Sequence, residues 1–369
     1  MIESKILGAA VGIPLDLSSN GGTGTSEPSA PTYADEILLP PTVYAVQGIE
    51  SNLYLKHMVN VDWTIYDYST TQVSAQRGLM KNRYRIDTVS RPVGVTDLTL
   101  SIHDKRSHKS LATAATKLTM VDPAKNTGVT KKVLVIGDSW ISNNVVTQTI
   151  LDNAAANVTK VTLLGTLGNA PNKHEGRSGW TVARYHTNDA ANKFWNSATS
   201  KFDFGNYLTV NSIATPDVVL IQLGINDVVN QWNDDAVLAI VATAKTQIDA
   251  MITSIHAVNT SIKVVFCVPP TQGNQDSYRT SSLTAWRAHI NMYLWAKEMF
   301  AHFKNREANN TYVLGTGFNL DTENNFPVLE EQINARNAKT HFMQNNQFHP
   351  ANSGYQQIGD VMFTFVKWS

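Results

Sequence analysis

The chain has 369 residues, with 30 basic and 30 acidic side chains, ten His, thirteen Pro and one Cys. That length exceeds one ordinary domain and points to two or three. Zero formal net charge argues against a broad electrostatic grip on nucleic acid or on an anionic membrane, and a single Cys, Cys267, excludes an intrachain disulfide framework and any Cys-rich metal site.

The chain opens on residues 1–17, MIESKILGAAVGIPLDL, whose apolar part is too short for a membrane helix and is broken by Gly8, Gly12 and Pro14. The start also lacks the basic, longer apolar pattern of a secretory signal. This segment reads as a tail packed on its own chain or as a docking peptide that fixes the protein to a larger assembly. Residues 18–36, rich in Gly, Ser, Thr and Pro, read as a flexible linker.

From residue 37 to 122 the texture is β-rich. Short apolar runs occur at Thr42–Ala45 and Leu53–Leu55, and Thr96–Ile102 alternates so that Leu98, Leu100 and Ile102 share one face. Such alternation between turn residues predicts a small antiparallel β-sandwich. The first helical stripe falls at Ser110–Leu118.

After a polar connector the pattern changes over 131–369. Strands are expected at Lys131–Ile136, which ends in a continuous apolar run, at Val161–Leu164, Asp217–Leu223 and Lys263–Val268, with Thr311–Leu314 as a candidate fifth. Helices are expected at Ser142–Ala156, Ala236–His256, Ser282–Phe303 and Tyr355–Trp368. This alternation predicts a parallel sheet between two helical layers, with reactive groups at the carboxyl ends of the strands.

Four stations follow these strands: Gly137-Asp138-Ser139-Trp140, then Gly176-Arg177-Ser178-Gly179-Trp180-Thr181, then Gly224-Ile225-Asn226-Asp227, and last His349-Pro350. Taken singly, each reads as a turn, a loop bend or a helix cap. In this order the stations resemble the SGNH, or GDSL-type, hydrolases across residues 131–369. The resemblance implies a flavodoxin-like three-layer α/β/α domain. It makes Ser139 the nucleophile and His349 the base. The Ser139 N–H, the Gly179 N–H and the Asn226 side chain would form the oxyanion hole. A Ser hydroxyl needs such a base, and imidazole titrates near neutrality. It implies no cofactor, and His174-Glu175 lacks the second His of a metalloprotease helix, so no metal is expected.

Many members carry an Asp three residues before the catalytic His; here that residue is Asn346. Three readings stay open. A Ser–His pair works with Asn346 or a backbone carbonyl orienting the ring; a carboxylate such as Asp276 or Asp321 substitutes; or the site is weakened. Asp138 and Asp227 read as turn-stabilising.

Residues 193–208 resemble the corresponding insertion of a carbohydrate-esterase-like branch, and residues 43–55 resemble the N-terminal β-domain of some bacterial and phage members. The resemblance implies a serine esterase removing O-acetyl groups from a polysaccharide, with Trp180, Trp195 and Trp232 as sugar platforms or as core aromatics. The rival readings are a non-catalytic glycan-binding or structural module on the same scaffold, and a lipid or aryl esterase. The expected setting is a virion, such as a phage tail docked through residues 1–17 and cytoplasmic until release, or the extracellular space. No nucleic-acid or membrane partner is expected.

Overall fold

Apolar runs without polar interruption need cover on both faces, and the chain supplies it with helices. A computed structural model of the protein describes residues 36–71, 78–276 and 284–369. The expected docking segment and most of the expected linker lie outside the described residues; Glu36, the linker's last residue, is ion-paired with Lys297 at 2.7 Å. Asp35–Ser369 is one compact unit.

The first strands are β1 (Thr42–Val46), β2 (Asn52–Tyr54), β3 (Tyr66–Thr70), β4 (Gly78–Met80), β5 (Arg83–Arg85), β6 (Gly94–Asp104) and β7 (Ser110–Val121). They build a four-stranded sheet, β1-β7-β6-β3, and a three-stranded sheet, β2-β5-β4. Leu98, Leu100 and Ile102 are fully buried, as their alternation requires. The helical stripe expected over 110–118 is instead β7. Its Thr and Ala side chains pair across from β6, Ala114 opposite Leu100 and Thr116 opposite Leu98, and Leu118 and Met120 turn inward.

The antiparallel sandwich expected here is also different in detail. β1 runs parallel to β7, and its apolar face is covered by the C-terminal helix: Tyr44 meets Phe365 at 5.2 Å and Trp368 at 5.0 Å between ring centroids. One continuous apolar core extends from Ile37 to Val366. The β-rich region thus uses the α/β region as its cover. A sheet so small cannot bury its own apolar face without a second layer.

Then follow β8 (Thr130–Gly137), α1 (Ser139–Ser142), α2 (Val145–Ala156), β9 (Lys160–Leu164), β10 (Glu175–Gly176), the small hairpin β11 (Trp195–Asn196) and β12 (Lys201–Phe202), α3 (Phe204–Val210), β13 (Val218–Gln222), α4 (Ile225–Val228) and α5 (Asp234–Val258). The chain closes with β14 (Lys263–Cys267), α6 (Ala285–Phe303), β15 (Thr311–Leu314), β16 (Val328–Asn334), β17 (Asn337–Gln344) and α7 (Asn352–Trp368).

The central sheet is parallel throughout, ordered β9-β8-β13-β14-β15, with β10 pairing the last residues of β8 on the β9 side. This is the doubly wound order that reverses direction between β8 and β13, and such a reversal opens a crevice at the strands' carboxyl ends. α2 packs with α7, while α5 packs with α3 and α6, giving the two helical layers. By length and composition α5 could cross a membrane; here it buries one stripe, including Val237, Val241, Ile248 and Ile255. The β16–β17 hairpin was not legible in sequence. Its strands, VLEEQIN and NAKTHFMQ, carry no apolar alternation because neither face is buried.

Candidate active site

Ser139 follows β8 directly. Asp138 caps α1, accepting the Trp140 N–H at 2.9 Å, which turns the chain sharply and leaves the Ser139 side chain half-exposed at the sheet's carboxyl edge. Trp140 is buried edge-on against Tyr355 of α7, 5.7 Å between centroids. The Ser139 turn is thereby locked to the helix that follows His349. The His349 Nε2 lies 3.0 Å from the Ser139 Oγ, the separation of a serine and its general base.

Gly179 sits on the loop after β10. Its φ of +75° lies in the left-handed region, and a Cβ there would meet nothing within 4 Å, so backbone conformation rather than space calls for glycine. Among the described residues, neither the Ser139 N–H nor the Gly179 N–H donates a hydrogen bond. Asn226, in the first turn of α4, donates from Nδ2 to the Trp180 carbonyl at 3.0 Å and to Asp138 Oδ2 at 3.3 Å. It ties the residue before Ser139 to the residue after Gly179. Gly224, ahead of α4, has φ +132°, and a Cβ there would fall 2.3 Å from the Trp295 ring.

Two carboxylates lie beneath this arrangement. Asp227 accepts the Val182 N–H at 3.0 Å. Burial pushes the pKa of both Asp138 and Asp227 up to about 7, and the Asp227 charge adds to the rise at Asp138. Asp138 is the cap of α1, whereas Asp227 lies inside α4 and holds the N–H of Val182 on the Gly179 loop rather than its own turn.

Asn346 behaves differently from expectation. Its Oδ1 accepts the backbone N–H groups of Phe348 (3.1 Å) and His349 (3.0 Å). Its Oδ1 serves the main chain at both positions, so it shapes the His349 loop. Among the described residues the two candidate substitute carboxylates bond elsewhere. Asp276 Oδ1 accepts the Ala285 N–H at 2.5 Å, and Asp321 holds the N–H groups of Glu323 and Asn324 in its own turn.

Of the three tryptophans, Trp180 is only 4% exposed. It packs edge-on against Tyr185, with the Arg177 and Arg184 guanidinium groups over its ring. That corrects its reading as a platform: no open face remains for a sugar. Trp195 is half-buried, and Trp232 stands 62% exposed just after α4. Phe194 is core, stacked on Phe202 and Tyr207. His174 is held between Asn144 Oδ1 (2.9 Å) and the Gly176 N–H (3.0 Å), and burial lowers its pKa to about 4. It is a neutral structural imidazole. Among the described residues no group of three or more His, Cys, Asp or Glu side chains could hold a metal.

Sequence reasoning missed the support under the Gly179 loop. Glu175 and Arg177 form a buried pair, N···O 2.8 Å, with side-chain exposures of 0% and 7%. Glu175 Oε2 has no aligned hydrogen-bond donor, so the contact is electrostatic. Glu175 Oε1 accepts from the Tyr207 hydroxyl (2.8 Å) and the Thr166 N–H (2.6 Å). The Gly137 carbonyl, two residues before Ser139, accepts both the Arg177 N–H and the Tyr185 hydroxyl at 2.8 Å. The signal was present: an acid and a base flanking Gly176 within a loop that otherwise reads as a bend.

No protein-family model and no curated protein matches the chain. Solved structures similar to it include a carbohydrate esterase family 3 protein from Talaromyces cellulolyticus (17% identity, TM-score 0.38, covering 64% of this chain and 96% of that one). They also include an acetylxylan esterase from Geobacillus stearothermophilus (16% identity, TM-score 0.34, covering 65% and 94%). A third is an extracellular lipase from Streptomyces rimosus (18% identity, TM-score 0.34, covering 62% and 97%).

Proposed function

We propose that the protein is a serine ester hydrolase of the SGNH type, and that its substrate is an O-acetylated polysaccharide. The observation that carries the catalytic part is the 3.0 Å approach of His349 Nε2 to Ser139 Oγ at the reversal point of the parallel sheet. Ser139 Oγ attacks the acetyl carbonyl and forms a C–O bond, while its proton passes to His349 Nε2. The resulting oxyanion takes the N–H groups of Ser139 and Gly179, which have no other acceptor among the described residues. Asn226 turns its longer bond, 3.3 Å to Asp138, toward the same oxygen. Each such donor contributes about 10²–10³ in rate. His349 returns its proton to the departing sugar oxygen. Water, deprotonated by His349, then cleaves the acetyl-serine ester and releases acetate.

The polysaccharide part rests on the likeness of residues 193–208 to a carbohydrate-esterase-like insertion, and on Trp232, whose ring is exposed on the same edge of the sheet. The test compares the wild type with Ser139→Ala on p-nitrophenyl acetate and on O-acetylated glycans. Acetate release should fall by at least 10³ in the variant. Equal release from both proteins refutes the mechanism, and a preference for long acyl chains over acetate refutes the substrate.

A further inference from the structure

Ser139 and Gly179 stand on separate segments, one just past β8 and the other on the loop after β10. Two N–H groups can share one oxygen only at a fixed separation, because a hydrogen bond weakens steeply away from its preferred distance and angle. That separation depends on how the ends of β8 and β10 are held together.

The strand pairing itself is slight. β10 has two residues, with Glu175 beside Ile136 and Gly176 beside Gly137. The Arg177 N–H extends the pairing by donating to the Gly137 carbonyl at 2.8 Å. Both glycines bring their segments directly against α1. A Cβ on Gly137 would fall 2.4 Å from the Ile141 side chain, and one on Gly176 would fall 2.5 Å from the Ser142 backbone nitrogen.

A side chain then crosses the join. The Tyr185 hydroxyl lies 2.8 Å from the Gly137 carbonyl oxygen and 2.7 Å from the Glu175 carbonyl oxygen. A phenol has one proton to donate, so the two carbonyls share it and are drawn to one point. Burial pushes the Tyr185 pKa well up, which keeps the hydroxyl a donor. The ring is fully buried, edge-on to Trp180 at 4.8 Å and tilted against Phe194 at 5.9 Å between centroids. Trp180, the neighbour of Gly179, is thus packed on the same residue that ties Gly137 to Glu175. The place of Tyr185 is set in turn from α4: its N–H donates to the Val182 carbonyl at 3.1 Å, and Asp227 holds the Val182 N–H.

We propose that Tyr185 is a positioning residue of the oxyanion site. Its hydroxyl ties the carbonyl two residues before Ser139 to the carbonyl four residues before Gly179, and so fixes the distance between the two N–H donors. The oxyanion role rests on the esterase reading above; the tie between the segments does not.

Tyr185→Phe keeps the ring and removes the tie. Tyr68→Phe is the control, since it also loses a hydroxyl bond to a carbonyl, that of Trp63 at 3.1 Å, but in the β-rich region. On p-nitrophenyl acetate, with kcat counted per folded molecule by urea titration, Tyr185→Phe should lower kcat about 10–100-fold and leave KM within twofold, the pattern of donors moved out of place. Tyr68→Phe should keep the wild-type kcat. A trifluoromethyl ketone probes the oxyanion directly: Ser139 Oγ adds to its carbonyl carbon, the hydroxyl proton passes to His349, and the ketone oxygen becomes the anion. Its inhibition constant should rise in Tyr185→Phe by the factor that kcat/KM falls. Wild-type kcat in Tyr185→Phe, a loss confined to KM, or an unchanged inhibition constant overturns the positioning role.

Amide hydrogen exchange needs no turnover. In the wild type the Arg177 N–H should be protected, and in Tyr185→Phe it should exchange at least tenfold faster, with no such change in Tyr68→Phe. An unprotected Arg177 N–H in the wild type, or an unchanged rate in Tyr185→Phe, overturns the tie. The exchange contrast in a wild type that hydrolyses no ester upholds the tie and overturns the esterase reading.

Discussion

The Asn346 side chain holds the backbone N–H of His349 at 3.0 Å, three residues along the chain. The Asn346 amide oxygen thus fixes the His349 main chain. Asn346→Ala removes the acceptor for two N–H groups. It should lower kcat by about 10–100-fold, with stability reduced by about 1–2 kcal/mol. Asn346→Asp keeps both acceptors and adds a negative charge near the imidazole, which favours the protonated ring. Its pH–rate profile should keep its maximum and move its acid limb to higher pH. An Asn346→Ala protein with wild-type kcat would show that the cap does not position the base.

Asn226 joins the Ser139 turn to the Gly179 loop through Trp180 and Asp138. Asn226→Ala should cost about 10²–10³ in kcat with a small change in KM. Gly179→Ala meets no clash but must hold a Cβ at φ +75°. It should lose about 1–2 kcal/mol of stability or shift the loop, and lose activity with it. Steady-state kinetics with urea unfolding of each variant distinguishes transition-state loss from misfolding. Loss confined to KM in Asn226→Ala would remove the oxyanion role.

The Glu175–Arg177 pair lies under the Gly179 loop at 2.8 Å, both side chains buried. Arg177→Met leaves Glu175 charged and without its partner, at a cost of about 3–5 kcal/mol. Adding Glu175→Gln removes that charge and should recover a large part of the loss. A urea double-mutant cycle measures this, and additive single losses would mean that the pair has no coupling.

Asp227 provides a pH test. Burial raises its pKa to about 7, against an unfolded value near 4. Between those values the folded chain retains a proton that the unfolded chain releases, so this group's stabilisation falls as pH rises from about 4 to about 7. Buried His57 and His289, lowered to about 3 and about 4, act oppositely: the unfolded chain takes up their protons first as pH falls below about 6.5. Asp227→Asn retains an acceptor for the Val182 N–H and deletes the titration. Relative to wild type, it should gain stability from pH 4.5 to 6.5, by up to about 1.4 kcal/mol per pH unit. A pH-independent difference would contradict the assignment.

Most of the central sheet was legible because residues 133–136, 218–221 and 264–268 are uninterrupted apolar runs, the mark of strands covered on both faces. The order of Ser139, Gly179, Asn226 and His349 was legible because Ser139 and Asn226 stand just past such strands and His349 just before the last helix, with Gly179 on the long loop between. The hydrogen bonds of Asn346 were not, since an amide oxygen three residues before a His can reach ring or backbone with equal ease. β7 was misread because Thr and Ala obey neither period strongly. The hairpin was hidden because an arm that buries nothing leaves no hydrophobic pattern to read.

Ser139 and His349 are separated by 210 residues along the chain. Closing so long a loop is costly in entropy and gains nothing until the layers between are docked. The Ser139–His349 contact is therefore a feature of the finished molecule: no fragment holding only one of the two has it, and the ester hydrolysis proposed above should recover on refolding later than secondary structure. A nick anywhere between the two residues, tolerated or not, can be scored by the same assay.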